Sequence, residues 1–209
     1  MNKPLATALS AVFHPLLVPF YLFYVVCYQL PGAVQQPELP DRWVVLGVVV
    51  LFTFVLPTLG TAVLYYLGLV DSLELPERRQ RAWPLLLAAI GFGAAAVLLH
   101  RPGRFDALLP QMMLGMTGAV VLTFLITLRW KISAHSVGVG GAVALLALLY
   151  LGGVAPGHAA GWLAGTALVA AAVGWARLAL HAHTPAQVWT GLALGAGLVA
   201  GFGATVALV

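Results

Sequence analysis

The stretch ALLPQMMLGMTGAVVLTFLITL, Ala107 to Leu128, runs for 22 residues without one charge. As an α-helix it would rise about 33 Å, close to the ~30 Å hydrocarbon core of a bilayer. Its flanks, Arg101, Arg104 and Asp106 before it and Arg129 and Lys131 after it, are charged. The whole chain repeats the pattern. Of 209 residues, 62% are hydrophobic and 8% charged, and mean hydropathy is +1.00. A water-soluble domain carries about 25% charged residues, so a globular surface is excluded. The six acids, Glu38, Asp41, Asp71, Glu74, Glu77 and Asp106, all fall between apolar runs. A charge at mid-membrane is costly unless paired or hydrated.

Six further runs qualify as spans. They are Leu5 to Leu30, interrupted by His14, Pro15 and Pro19; Val44 to Leu69, with Pro57 inside; the short Pro84 to Leu99; about Ser133 to Leu151; Ala160 to about Leu180; and Pro185 to the C-terminus. The fold expected is all-α, a polytopic transmembrane bundle of six to seven helices. Residues 1–209 form a single integral membrane domain, with no repeat, linker or low-complexity tail. The first run is too long for a signal-peptide core and reads as a retained anchor. Gly191, Gly195, Gly197, Gly201 and Gly203 give the last run two small-xxx-small pairs, a mark of close helix packing. The single Cys27 forms no internal disulfide. The modest excess of basic residues is not a nucleic-acid footprint.

Seven spans put three connections, Asp71–Trp83, Arg129–Ile132 and His181–Thr184, on the same face as the N-terminus; call it face A. Face A holds Lys3, Arg78, Arg79, Arg81, Arg129, Lys131 and Arg177, against Arg42, Arg101 and Arg104 on face B. The positive-inside rule alone would put face A in the cytoplasm. Its force falls if Arg79, Arg81, Lys131 and Arg177 hold an anion instead of marking topology, and orientation stays open. Three helices start on face A, at Pro84, near Ser133 and at Pro185, the last with Thr184 as N-cap. Their free N–H groups and dipoles favour phosphate. The same face carries Lys131-Ile-Ser-Ala-His135-Ser and Arg177-Leu-Ala-Leu-His181-Ala-His183-Thr-Pro.

Each piece has a plainer reading. The arginines serve as interfacial anchors in many membrane proteins. His181 reads as snorkelling to the interface, His14 and Pro15 as a packing kink, and His100 and His158 as solvated on face B. No ligand spacing points to a metal.

Together the segments resemble the phosphatidic-acid phosphatase type 2 superfamily, the membrane histidine phosphatases, over roughly residues 70 to 195. The family reads K-x6-R-P, then P-S-G-H, then S-R-x5-H-x3-D. Here the third motif is Ala176-Arg177, five residues, then His183; the second is Ile132-Ser133-Ala134-His135; the first is the basic stretch Arg78-Arg79-Gln80-Arg81-Ala82-Trp83-Pro84, with altered spacing. The resemblance implies a metal- and cofactor-independent hydrolase of a lipid phosphate or prenyl pyrophosphate, in a cell's inner membrane. His183 would attack phosphorus and form a phosphohistidine. His135 would protonate the leaving oxygen and then activate water. Arg177, Arg79, Arg81 and Lys131 would hold the non-bridging oxygens, with Ser133 adding a neutral donor. The family's orienting aspartate is Gln187 here, Ile132 and Ala134 replace proline and glycine, and the first lysine is absent. Asp71, Glu74 and Glu77 are the acids able to stand in, since none follows Asp106. A second reading, a lipid-phosphate binder or transporter with little turnover, follows from Gln187; a third is a purely structural bundle.

Overall fold

A computed structural model describes residues 2–73, 75 and 77–206, with side chains as far as Gly201. Every regular element among them is helical: α1 Lys3–Val12, α2 Val18–Tyr24, α3 Arg42–Val50, α4 Leu56–Tyr66, α5 Ala82–Leu99, α6 Leu108–Thr127, α7 Ala134–Leu151, α8 Pro156–Ala179 and α9 Pro185–Val206. Five segments are long and apolar enough to cross a membrane: Leu39–Tyr66, Arg79–Leu99, Leu108–Thr127, Ala134–Leu151 and Pro156–Ala179. The chain is therefore a polytopic helical membrane protein.

The expected single span from Leu5 to Leu30 is corrected. α1 ends at Val12, and the chain turns through His14 and Pro15 before α2 begins. Proline disfavours a helical residue before it and cannot donate to the helix ladder. α2 continues as one π turn, Val25–Gln29. The 12-residue unit Val18–Gln29 rises only about 18 Å. Arg42 donates through Nη1 to Cys27 O in its last turn, and through Nη2 to Val34 O and Nε to Pro37 O in the loop that follows.

The second span is one 28-residue helical segment, about 42 Å long, so it must tilt to fit the core. A π turn at Leu51–Val55 absorbs Pro57, whose ring would otherwise meet a carbonyl one turn back. The third span begins earlier than Pro84. A 3₁₀ turn, Arg79–Arg81, leads into α5 at Ala82, and Pro84 falls in the first turn, where its missing N–H costs nothing.

Among the largest buried apolar side chains, Leu30, Leu99, Leu109, Met113 and Leu146 lie toward face B. Buried polar groups gather at the other end: Ser10, Thr127, Ser133, Ser136 and His183. Exposed Trp83, Trp130, Trp175 and Trp189 ring the same end, as tryptophan does where a membrane meets water.

Candidate functional site

Glycines bring the two histidine motifs together. α7 packs most extensively against α9. A β-carbon on Gly195 would overlap the Val137 carbonyl and lie 2.7 Å from Gly141 N; one on Gly191 would lie 2.8 Å from Ser133 O. Only glycine permits that approach, as the pair Gly191-xxx-Gly195 leads one to expect. A β-carbon on Gly197 or Gly201 would meet nothing within 4 Å among the described residues, so the second pair is not a close contact there; Gly203 lies beyond the described side chains. The approach lets Ser133 N–H donate to Gln187 O at 3.4 Å, joining the start of α7 to the start of α9.

The spacing from Arg177 to His183 is one helix stop followed by one helix start. Ala182 N–H donates to Arg177 O and His181 N–H to Leu178 O, the paired bonds of a Schellman ending. His181 has φ +52°, the left-handed position usually given to glycine. It is exposed, and its backbone reverses the chain. Next comes a capping box. Gln187 N–H donates to Thr184 Oγ1 at 3.4 Å, and Thr184 N–H donates to Gln187 Oε1 at 3.3 Å.

That same Oε1 lies 3.0 Å from His183 Nδ1. An amide N–H facing Gln187 fixes the oxygen on that side, and an oxygen only accepts. His183 Nδ1 must therefore carry the hydrogen, and in the neutral ring Nε2 presents a bare lone pair. The ring is neutral. Burial lowers its pKa from 6.5 to about 3. The Gln187 hydrogen bond opposes the shift, while Arg81, Arg177 and Lys131 add to it. The half-buried Lys131 is likewise lowered, first by burial and then by Arg81 and Arg177. The described charges acting on His183 are all positive. An anion placed there would relieve both.

The second motif lies alongside. Ser133 is the N-cap of α7, and its Oγ accepts from Ser136 N–H at 3.3 Å and from Ser136 Oγ–H at 2.9 Å. Both bonds occupy lone pairs of the oxygen at the helix end, and the Ser133 O–H is the hydrogen left to donate. His135 Nε2 lies 3.0 Å from Ser10 O, and Arg177 Nη1 donates to Ser10 Oγ at 3.1 Å. The His14 ring packs edge-on to His135 at 5.6 Å, in keeping with the packing role expected of it. Ser10 was not legible as a site residue. Its only signal is a small polar side chain inside an apolar run.

The basic first motif divides its labour. Arg81, half-buried, donates through Nε to Leu75 O at 2.8 Å and acts on both His183 and Lys131. Arg78 donates through Nη1 to Thr127 O at 3.0 Å and to Leu128 O, capping α6. Arg79 is exposed. Of the acids considered as replacements for the aspartate, Asp71 is exposed and bonded to Gln80, Glu77 is exposed, and Glu74 lies outside the described residues. The group on His183 Nδ1 is Gln187 itself.

A cleft lined by Lys131, Leu178, His181, His183, Thr184 and Gln187 opens at this end. Deeper in the bundle lies an apolar cavity of ≈ 380 Å³. It starts at Pro15, Leu16 and Ala134, next to His14 and His135, and reaches Leu149 and Gly152 toward face B. No protein-family model matches the chain, and no curated protein or solved structure matches it.

Proposed function

We propose that the chain is a membrane phosphohydrolase acting on a lipid phosphate or prenyl pyrophosphate, with His183 as nucleophile. The observation that carries this reading is the His183–Gln187 hydrogen bond. It leaves a neutral imidazole with Nε2 unprotonated among Arg81, Lys131 and Arg177. A structural bundle has no need of that arrangement. The tryptophan ring argues for a site at headgroup depth, and the apolar cavity beside it suits a hydrocarbon tail. Six to seven crossings, the five long spans with Pro185–Val206 and the broken first run of α1 and α2 together, and an inner-membrane location complete the proposal.

In the reaction, Nε2 of His183 forms a bond to phosphorus as the bond from phosphorus to the lipid oxygen breaks. Arg177, Arg81 and Lys131 take the charge on the non-bridging oxygens. The substrate's negative charge favours a second proton on His135, which passes to the departing oxygen. The neutral His135 then draws a proton from water as water attacks the phosphohistidine, returning His183 and free phosphate.

Purified protein in detergent, offered a panel of lipid phosphates and prenyl pyrophosphates, should release phosphate. His183→Ala should abolish release yet still bind vanadate, because cations and helix ends do the binding. His135→Ala should slow release by ~10²–10⁴-fold. Arg177→Ala should weaken vanadate binding strongly. Vanadate binding without release from any lipid would replace the enzyme with a lipid-phosphate binder, the reading that Gln187 favours. Neither binding nor release would end both.

A further inference from the structure

Outside the motifs, the N-terminal segment touches the site at three points. Ser10 O faces His135 Nε2 at 3.0 Å, Ser10 Oγ accepts from Arg177 Nη1 at 3.1 Å, and His14 packs its ring edge-on against His135. α1 is held there by small residues, since Ala6 is fully buried against Ala176 and Ala179 of α8. The rest of α1 is largely exposed, so its contact with the bundle is concentrated at Ala6, Leu9 and Ser10.

A carbonyl oxygen only accepts, so His135 Nε2 carries hydrogen and Nδ1 is the atom left to exchange a proton with a ligand. His14 Nδ1 accepts from Leu16 N–H at 3.3 Å, which puts the hydrogen of its neutral ring on Nε2. Each histidine at the site thus has one nitrogen committed to a neutral partner: His183 to Gln187, His135 to Ser10, His14 to Leu16. None of these partners is a carboxylate.

We propose that Ser10 is a positioning residue, and that α1 is a wall of the anion site: the Ser10 carbonyl fixes the His135 tautomer with Nδ1 as its working atom, and the Ser10 hydroxyl aims Arg177. This deepens the phosphohydrolase reading and rests on it for its catalytic meaning. The geometric claim stands apart from turnover and is tested apart from it.

Two variants separate the two contacts. Ser10→Ala removes the hydroxyl and keeps the carbonyl. Vanadate affinity should fall about tenfold, and Ser10→Thr should restore it. Ala6→Leu pushes α1 away from α8 and breaks both contacts. In ¹⁵N-histidine spectra of the wild type in detergent, neutral His135 should be protonated at Nε2 alone. Ser10→Ala should leave that signature in place, and Ala6→Leu should convert it to a mixture of tautomers. Where phosphate is released, Ala6→Leu should lower kcat more than it raises KM. Unchanged vanadate affinity in Ser10→Ala, or a wild-type His135 protonated at Nδ1, overturns the proposal. If the spectra behave as expected and no lipid is hydrolysed, the wall stands and the phosphohydrolase reading falls. If vanadate does not bind the wild type, the His135 signature alone decides whether α1 sets the ring.

Discussion

Replacing Gln187 by glutamate would turn the oxygen shared by His183 and Thr184 into a carboxylate oxygen with almost no change of shape. His183 Nδ1 sits 3.0 Å from it and Thr184 N at 3.3 Å. An opposite charge at that range stabilises an imidazolium by about 1.4 to 4 kcal/mol. The same charge in the first turn of α9 adds about 0.3–1 kcal/mol through the helix dipole. His183 starts from a pKa lowered to about 3, so Gln187→Glu should move its titration upward and make Nε2 more basic. A ¹⁵N titration of the ring in detergent reads the first effect, and phosphate release from the lipid panel reads the second. Release should equal or exceed that of the wild type. Vanadate affinity should fall severalfold, because the new charge opposes an anion. Gln187→Asp should act in the same direction but less, being one methylene shorter and unable to serve both partners equally. A His183 titration unmoved by Gln187→Glu would refute the reasoning, since the two groups would then not be in contact.

Other outcomes follow from the same geometry. Gly195→Ala drives a methyl into the Val137 carbonyl and should destabilise the protein by ~1–3 kcal/mol, while Gly197→Ala meets nothing and should be neutral or up to ~1 kcal/mol stabilising; thermal unfolding in detergent compares them. His181→Gly relieves the left-handed backbone at φ +52° and should raise stability by roughly 1 kcal/mol without loss of phosphate release; a fall in release would make the His181 ring part of the site. Because the folded protein lowers His183 from 6.5 to about 3, the unfolded chain binds the extra proton first. Stability should therefore decline as pH falls from 6.5 toward 3 and be insensitive to His183 above 6.5. Unfolding midpoints across that range should show a shallower decline in His183→Asn; identical slopes would count against a buried neutral ring.

The long spans were legible because hydropathy over some twenty residues has one physical cause, the bilayer. The ends of α6 and α7 lie within one residue of expectation, at Leu108–Thr127 and Ala134–Leu151. The first run was misjudged as one helix because an apolar average passes over His14-Pro15, whereas the chain breaks there and turns Ser10 toward Arg177 and His135. The gathering of Arg177, His183, His135, Lys131 and Arg81 was readable from motif order. The part of Gln187 in a capping box was written in Thr184-x-x-Gln187, a pattern that the comparison with an aspartate obscured. His181 carried no such mark, since the left-handed position is ordinarily a glycine. Arg78 could not be told from its neighbours because its partners, Thr127 and Leu128, lie some fifty residues away.

The two histidines differ in how their tautomers are held. Apart from the Ser133 N–H to Gln187 O bond, every bond that sets His183 runs between residues no more than five apart, from the Schellman turn to Gln187. His135 takes its orientation from Ser10, 125 residues distant. Heat or a loosened α1 would therefore disable them in sequence, His135 first. On the proposed mechanism, a bundle slackened in that way would keep the His183 ring set and would lack the group that both protonates the departing oxygen and activates water. The damaged protein would lose turnover while one ring kept its state, so that a mixed His135 tautomer beside an unchanged His183 signature would report the loosening of α1 before any helix is lost.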